Sequence, residues 1–198
     1  MTEGVSLIER KQRRARQRII EAADELFASR GFDQVSVSDI AERAEVGRTS
    51  FFRHFGDKQE VVFAREHEVL ALVAAEDVVG PGSDPHSLAD ALRALEPVIL
   101  RITAQMIANA DGFRRHVQLV KAHAGLRERD AAKLQVIAGR LGDLLTVRGW
   151  DDAVSVLSAQ LAVACFQAAR GTTTDPRSLV EATRSAFAQT LALGTVRG

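Results

Sequence analysis

The chain has 198 residues, enough for one or two domains with a sizeable core, and no uninterrupted apolar run reaches the ~18 residues that would suggest a membrane span. A start without the charged and apolar regions of a signal peptide predicts a cytoplasmic protein, and the single cysteine, Cys165, excludes an internal disulfide and a multi-cysteine zinc site. The 26 basic and 26 acidic residues give a net charge of zero, so any binding to nucleic acid must depend on where the cations lie.

Positive charge is concentrated close to the start of the chain. Residues 1–9 show no periodicity and are predicted to be disordered. The nine residues that follow hold six cations: Arg10, Lys11, Arg13, Arg14, Arg16 and Arg18. Such runs are most often solvated surface, but this one lies just before a predicted helix-turn-helix. We therefore expect a basic N-terminal arm, with Arg13, Arg14 and Arg16 touching DNA phosphates or entering a minor groove.

A first helix is predicted from about residue 10 to residue 29, ending at Gly31. Its apolar stripe consists of Ile19 or Ile20 with Ala23, Leu26 and Phe27. This helix is expected to pack over two shorter ones and to complete a three-helix domain over residues 10–56.

The two shorter helices lie within the stretch SVSDIAERAEVGRTSFFRHFGDK. Ser36 is predicted to cap the first of them, which spans about residues 37–44, and Asp39 completes a capping box. Gly47 is expected to supply the sharp turn that follows, because glycine adopts backbone angles that a Cβ atom disfavours. The second short helix, residues 48–55, turns two of its phenylalanines inward.

Together with the preceding run IIEAADELFASRGFDQVSVSDIA, this stretch resembles the DNA-binding helix-turn-helix of the TetR family of transcriptional regulators. The residues that match the family's usual run are Ile19, Ala22, Ala23, Leu26, Phe27, Gly31 and Phe32. The resemblance covers roughly the first third of the chain. It implies a homodimer that binds a double-stranded DNA operator and is released by a small molecule. No cofactor and no metal are expected.

The resemblance also implies which side chains contact DNA. Arg48 and Thr49 begin the recognition helix and are expected to approach bases, with Arg48 placed for a bidentate contact to guanine or for a phosphate. Phe52 stands where most relatives carry a tyrosine whose hydroxyl contacts a phosphate. Without that hydroxyl, Phe52 is expected only to pack against a sugar. The predicted phosphate contacts are Ser36, Ser38, Arg53, His54 and Lys58.

After the helix-turn-helix, residues 57–79 are predicted to form one connecting helix, which Gly80-Pro81-Gly82 stops. Residues 80–198 show only helical periodicity and form the predicted ligand-binding and dimerisation domain. Asp111-Gly112 and Gly125 are predicted breaks within it, and Asp151 is a predicted N-cap. Pro97 should bend its helix, which is either a structural kink or the opening of a cavity between helices.

Apolar side chains of this domain, with a few polar ones, are the expected lining of a ligand pocket. They are Leu95, Ile99, Ile102, Gln105, Met106, His116, Leu119, His123, Leu134 and Ile137. The runs RTSFFRHF and LVKAHAGLRER also resemble a subgroup of the family proposed to bind acyl-CoA-like ligands. The effector is therefore expected to be a small, largely apolar molecule.

The last two helices, about residues 152–170 and from Asp175-Pro176 onward, are too apolar for one exposed face each. They are either simple core or a four-helix dimer interface to which each subunit contributes two helices. The family resemblance favours the dimer, because twofold DNA sites require twofold proteins.

The sequence thus predicts an all-α protein of about nine helices, with no β pattern. Its predicted function is that of a ligand-responsive, sequence-specific DNA-binding transcriptional regulator, and more specifically a repressor. The alternatives are a ligand-independent architectural DNA-binding protein and a helical small-molecule carrier or enzyme. An enzyme is disfavoured, because the five histidines lack metal-ligand spacing and the chain has no nucleophile elbow, phosphate loop or HExxH motif.

Overall fold

A computed structural model describes residues 6–82 and 84–193, apart from the side chains of Glu66 and His67. Over these residues the chain forms ten α-helices, one 3-10 turn and no strand, which confirms the predicted all-α class. The chain divides into two compact units, residues 1–64 and 65–198. The predicted disorder of residues 1–9 is wrong for residues 7–9, which are helical, and residues 1–5 lie outside the described part.

The first unit contains α1 (Leu7–Arg30), α2 (Val37–Arg43), α3 (Arg48–His54) and α4 (Lys58–Val62). α1 begins at a capping box in which the side chains of Ser6 and Glu9 each accept from the other's backbone amide. It ends at Gly31, whose φ of 81° lies in the region that favours glycine. Its buried stripe is Ile19, Ala22, Ala23, Leu26 and Phe27, as the periodicity predicted.

The turn between α2 and α3 differs from its prediction. Gly47 caps α3 at a φ of −70°, so the conformational freedom of glycine is not used there. The left-handed residue is Glu45, at a φ of 53°. Its amide donates to the Glu42 carbonyl at 3.0 Å, and the next amide donates to the Ala41 carbonyl at 2.9 Å. The chain therefore reverses two residues earlier than predicted.

The predicted connecting helix over residues 57–79 is not continuous. α4 ends at Val62, and the amides of Phe63 and Ala64 each donate three residues back, which makes a turn before α5 (Glu66–Ala75) begins. Phe63 and Ala64 are both buried, so packing holds this turn against the helical sequence pattern.

α5 also ends earlier than predicted, at Ala75, because the segment that follows it is fastened to the rest of the second unit. The contacts that fasten it are Glu76 with Arg101, Asp77 with Arg148, and the Trp150 indole with the Val79 carbonyl at 3.2 Å. The hydrogen bonds from Arg101 lower the pKa of the Glu76 carboxyl, which keeps this pair ionised.

The second unit continues with α6 (Leu88–Ile107), α7 (Ala110–Ala122), α8 (Ala124–Val147), α9 (Asp152–Thr172) and, after a 3-10 turn at Pro176–Ser178, α10 (Leu179–Leu193). α9 packs against α6, α8 and α10. Among the described helices it is the one long and apolar enough to cross a membrane, with a mean hydropathy of 1.3. Its packing against three helices of its own unit is what a core helix shows, and one such stretch is weak evidence for a membrane span.

Two predicted breaks in this unit lie inside helices. Asp111-Gly112 forms the first turn of α7, which Asn109 caps by accepting from the Gly112 amide at 2.9 Å. Gly125 lies in the first turn of α8. The predicted cap at Asp151 is confirmed, and Pro97 lies on the exposed side of α6.

Candidate nucleic-acid interface

The recognition helix α3 is anchored from beneath by two phenylalanines. Phe51 and Phe55 are fully buried, one turn apart, with ring centroids separated by 6.0 Å. Both were predicted to turn inward, and the prediction is confirmed. Because one side of α3 is fixed in the core, the opposite side is presented to solvent. The exposed residues on that side are Arg48, Thr49, Phe52 and Arg53.

The exposed side of α3 combines two cations, a hydroxyl and an aromatic ring. Arg53 donates to the Ser50 hydroxyl at 3.2 Å, which orients its guanidinium along the helix. The Phe52 ring meets the Phe51 ring edge-on at 5.6 Å and remains 47% exposed. This side of α3 offers hydrogen-bond donors for base edges at the start of the helix and the Phe52 ring as a packing surface one turn later. Both features suit a major groove.

The start of α2 is set by the predicted capping box, which is confirmed. The Ser36 hydroxyl accepts from the Asp39 amide at 3.1 Å, and the Asp39 carboxylate accepts from the Ser36 amide at 2.7 Å. The side-chain bond from Ser36 is the main cause of the lowered pKa of Asp39. The Ser36 hydroxyl is therefore engaged in the cap, whereas Ser38 is exposed in the first turn.

Two of the predicted DNA contacts are cations that hold the first unit together. Arg16 donates from Nη2 to the Ala64 carbonyl at 2.6 Å, and its guanidinium lies 4.4 Å from the centre of the Phe55 ring. Lys58 donates from Nζ to the Phe32 carbonyl at 2.8 Å and lies 4.2 Å from the centre of that ring. Each combines a charge-assisted hydrogen bond with a cation–π contact worth about 0.5–1 kcal/mol or more.

His54 is turned partly inward. Its Nε2 is buried and has no hydrogen-bond partner among the described residues. Burial, followed by the charges of Arg53 and Arg16, lowers the pKa of His54, so the ring is neutral at neutral pH. In the protein without DNA, His54 is therefore neutral, and its other polar atom is Nδ1.

The basic run before this domain is helical. Arg13 and Arg14 lie within the first part of α1, where every side chain from Leu7 to Arg14 is exposed. The structure thus presents these two arginines to solvent on a regular helix, and the predicted arm is a helical projection.

In the second unit, the predicted pocket residues fall into two groups. The apolar ones that share its core are Leu95, Ile99, Ile102, Met106, Leu134 and Ile137. Leu119 is not part of that core, and Nδ1 of His123 lies 2.9 Å from the Leu119 carbonyl. His116 is half-buried, and Gln105 is exposed near the end of α6.

A buried ionic cluster in the second unit had no counterpart in the sequence predictions. Asp130 of α8 accepts two hydrogen bonds from Arg170 of α9, at 3.1 and 2.6 Å, and Nε2 of His116 of α7 lies 3.7 Å from its carboxylate. Burial opposes ionisation, but the bonds from His116 and Arg170 outweigh it and lower the pKa of Asp130 to about 2. Forty positions separate Asp130 from Arg170, so no local pattern indicated the pair.

Comparisons with known proteins agree on one family. The family model described as "Bacterial regulatory proteins, tetR family" matches residues 19–64. The chain is 31% identical over 169 residues to the HTH-type transcriptional regulator TcmR of Streptomyces glaucescens, an alignment that covers 83% of this chain and 74% of that protein.

Two solved structures share the fold over nearly the whole chain. One is the complex of SmeT with triclosan, SmeT being the repressor of a Stenotrophomonas maltophilia multidrug efflux pump, with 20% identity, a TM-score of 0.58 and 90% of each chain covered. The other is Thermus thermophilus FadR in complex with lauroyl-CoA, with 20% identity, a TM-score of 0.53, and 92% of this chain and 96% of that chain covered. At such identities the likeness concerns the fold alone.

Proposed function

The chain belongs to the TetR family of bacterial regulatory proteins, and from this premise we propose how it reads DNA, which class of effector it binds and how it dimerises. It is a ligand-responsive DNA-binding transcriptional repressor and not an enzyme. Regulators of this family are soluble proteins that bind DNA operators and small-molecule effectors, typically as dimers. We expect this one to act in the cytoplasm.

The exposed side of α3 above its two buried phenylalanines is the observation that supports the proposed DNA contact. With α3 in a major groove, Arg48 and Thr49 meet base edges, and Arg53 and Phe52 follow the groove wall. The proposed backbone contacts come from Ser38 and Lys58 and from Arg13, Arg14 and Arg16 at α1, with a hydrogen bond from His54. Ser36 is withdrawn from this set, because its amide and its hydroxyl both donate to the Asp39 carboxylate. Lys58 and Arg16 each donate a hydrogen bond to a backbone carbonyl of the first unit. In the proposed complex they contact phosphate through their other N–H groups.

We propose an effector with a long apolar part, bound among the core side chains of the second unit. Six apolar side chains among the predicted pocket residues share the core of the second unit, which supports a ligand with an apolar part. The likeness of RTSFFRHF and LVKAHAGLRER to a subgroup proposed to bind acyl-CoA-like ligands supports the same proposal, as does the lauroyl-CoA of the FadR complex. Such a ligand acts by favouring a state whose two recognition helices are no longer ~34 Å apart.

The Arg48→Ala variant should weaken operator binding by about 1 to 3 kcal/mol for each half-site at which Arg48 meets a guanine. The measurement is a gel-shift titration with DNA upstream of the protein's own gene, where wild-type protein forms a discrete, competitor-resistant complex. Binding of the variant to non-operator DNA should change little.

Lauroyl-CoA should release the wild-type complex, and coenzyme A should not.

Arg43→Ala is the control for this titration. Arg43 is also an exposed cation of the first unit, but it ends α2 and pairs with Glu25 on α1 at 2.5 Å. Its removal should leave operator affinity within about twofold, as expected of an exposed ion pair. The proposed function is rejected when wild-type protein binds all DNA alike, with salt sensitivity and without a discrete complex.

The dimer is proposed to form through α9 and α10. On α9, Val156 and Leu157 are 61% and 49% exposed, although the other side of the helix packs into the unit. Ala164 and Ala168 extend this exposed apolar side toward the end of α9, and Leu193 is 79% exposed at the end of α10. An apolar surface of this kind indicates a protein interface, and two copies would bury it in a twofold four-helix contact.

The double variant Val156→Glu/Leu157→Glu should be monomeric, because dimerisation would bring like charges together and strip them of water. Size-exclusion chromatography with light scattering measures the mass directly. Val147→Glu is the matched control, since Val147 is 82% exposed at the end of α8, outside the two proposed helices. A double variant that remains dimeric places the interface elsewhere.

A further inference from the structure

Two serine hydroxyls lie in the core of the second unit without a hydrogen bond. Ser155 and Ser158 of α9, here called the serine pair, are fully buried, and neither Oγ atom has a partner in the part of the chain that the structure describes. The two residues are three positions apart on the helix, so their side chains are neighbours on one face. An unsatisfied buried hydroxyl destabilises a fold, and alanine would suit the helix better. Stability therefore does not explain the pair.

Other buried hydroxyls of the same unit are satisfied within their own helices. Thr103 of α6 and Thr183 of α10 are fully buried, and each donates to the carbonyl four residues back, at 2.7 and 2.8 Å. The serine pair has carbonyls of the same kind one turn back, but its hydroxyls do not bond to them. The pair thus keeps its hydrogen-bonding capacity inside the core.

Contacts of α9 locate the serine pair against α6 and α8. The amide of Asp151, the N-cap of α9, donates to the Pro85 carbonyl at 3.2 Å, so α9 begins beside the start of α6. The Ser155 carbonyl lies 3.7 Å from the position that a Cβ on Gly142 would take, so α8 passes beside the pair. At this level of α6 and α8, the core residues are Leu92, Leu95, Leu141 and Leu145. Leu95 also belongs to the proposed effector site, so the pair lies next to that site.

The surroundings of the serine pair favour an uncharged ligand group. Among the described residues of the second unit, the fully charged side chain that is buried is Asp130, which is bonded to Arg170. It lies about 18 Å along α8 from Gly142. A carboxylate or phosphate at the pair would be buried without a counter-charge, which is costly. A hydroxyl group can accept from one serine and donate to the other, so it satisfies both.

We propose that Ser155 and Ser158 are the polar end of the effector site and bind one hydroxyl group, of an alcohol or a phenol, on an otherwise apolar effector. The proposal rests on the proposed function, which places the apolar part of the effector among the neighbouring core side chains. The two residues between the serines, Val156 and Leu157, face outward on the proposed dimer surface. An effector bound on the inner side of this turn therefore acts on the helix through which the subunits meet.

The double variant Ser155→Ala/Ser158→Ala tests the site with two ligands that differ by one hydroxyl, para-butylphenol and butylbenzene. Binding to the whole chain is followed by the fluorescence of Trp150, the single tryptophan, which is buried just before α9. Excitation at the red edge of the indole band avoids absorption by the phenol. Wild-type protein should prefer para-butylphenol, and the double variant should reduce the ratio of the two affinities by about tenfold or more, as expected for two hydrogen bonds.

The melting temperature of the ligand-free protein separates this role from a structural one. Because the double variant removes two unsatisfied hydroxyls, its Tm should equal or exceed that of wild type. A Tm lowered by more than about 4 °C would show that the hydroxyls support the fold and would overturn the proposal. The single variant Ser158→Ala is a smaller change to the core and should give an intermediate affinity ratio.

Thr183→Val is the matched control, because Thr183 is a buried hydroxyl of the same unit that is already bonded to the Leu179 carbonyl. Its affinity ratio should be that of wild type. A ratio reduced as far as in the double serine variant would overturn the proposal in favour of a general effect of core substitution.

The two levels of inference fail in different ways. A wild-type protein without a discrete operator complex rejects the proposed function. A normal operator complex rejects only the hydroxyl site when the affinity ratio is the same in wild type and double variant, or when wild type binds neither compound.

Discussion

The Phe51→Ala variant should fail to bind operator because its DNA-binding unit unfolds. Phe51 is fully buried and its ring lies 5.6 and 6.0 Å from those of Phe52 and Phe55. Removing a buried aromatic side chain costs about 3 to 5 kcal/mol. The unit comprises residues 1–64, and units of that size have little stability to spare. A loss of this size is comparable to the whole free energy of unfolding of such a unit, so the unit should unfold.

Amide hydrogen exchange followed by mass spectrometry separates unfolding of the unit from the simple removal of a DNA-binding side chain. In the Phe51→Ala variant, α2 and α3 should lose protection, whereas α8 and α9 should keep it. Phe52→Ala is the matched control, because the neighbouring ring is 47% exposed and its edge-on contact is worth about 1 kcal/mol. Similar loss of protection in the two variants would contradict the prediction that the buried Phe51 ring stabilises the first unit.

The Asp130→Asn variant should lower the free energy of unfolding of the second unit by about 3 kcal/mol at neutral pH. The Asp130 carboxylate accepts two hydrogen bonds from Arg170, and the two side chains are only 12% and 15% exposed. Asparagine keeps the shape but removes the charge that compensates the guanidinium. A nearly buried cation is then left without its counter-charge, which is the costly case for an ion pair.

This destabilisation should depend on pH with a defined sign. Burial acts to raise the pKa of Asp130, but the bonds from His116 and Arg170 lower it from the ordinary 3.8 to about 2. A lowered carboxyl pKa contributes stability that is complete above the ordinary pKa and disappears as the pH falls through the folded value. In urea unfolding, the difference between wild type and Asp130→Asn should be constant above about pH 5 and shrink between about pH 4 and about pH 2.

Asp143→Asn supplies the comparison on the same helix. Asp143 pairs with Arg140 at 3.6 Å, but both side chains are well exposed, so its substitution should change stability by no more than about 0.5 kcal/mol. An Asp130→Asn difference that stays the same from pH 7 to pH 2 would mean that the ionised carboxylate is not the source of the stability. A difference equal to that of Asp143→Asn would mean that the buried pair adds no more stability than an exposed one.

Local chemistry explains why so much of the first unit could be predicted. The capping box at Ser36, the stop at Gly31 and the inward side of α3 each depend on residues within one or two turns of each other. The sequence also identified the family through this same stretch, which the comparisons confirm. The reversal at Glu45 was missed because a left-handed glutamate has no sequence signature, whereas glycine nearby has one.

Contacts between distant parts of the chain explain the errors. The helix predicted over residues 57–79 keeps its apolar pattern, but burial of Phe63 makes a turn and Glu76 is drawn to Arg101, 25 residues away. The inward direction of Arg16 did have a signal, because it lies seven residues before the buried Ala23 and hence on the same side of α1. The prediction missed this signal because it assigned Arg16 to the DNA-binding arm together with the neighbouring cations.

The charges of α1 are arranged against the dipole of the helix itself. Six of its seven cations lie in residues 7–18, whereas three of its four acids lie in residues 19–30. The N-terminal end of a helix carries roughly half a positive charge, so cations crowded there oppose helix formation, and the capping box at Ser6 offsets only part of that repulsion. A polyanion beside these turns removes the repulsion. In the proposed complex, DNA binding and helix formation at the start of α1 would therefore stabilise each other, and the first turns of α1 would be less stable in the unbound protein.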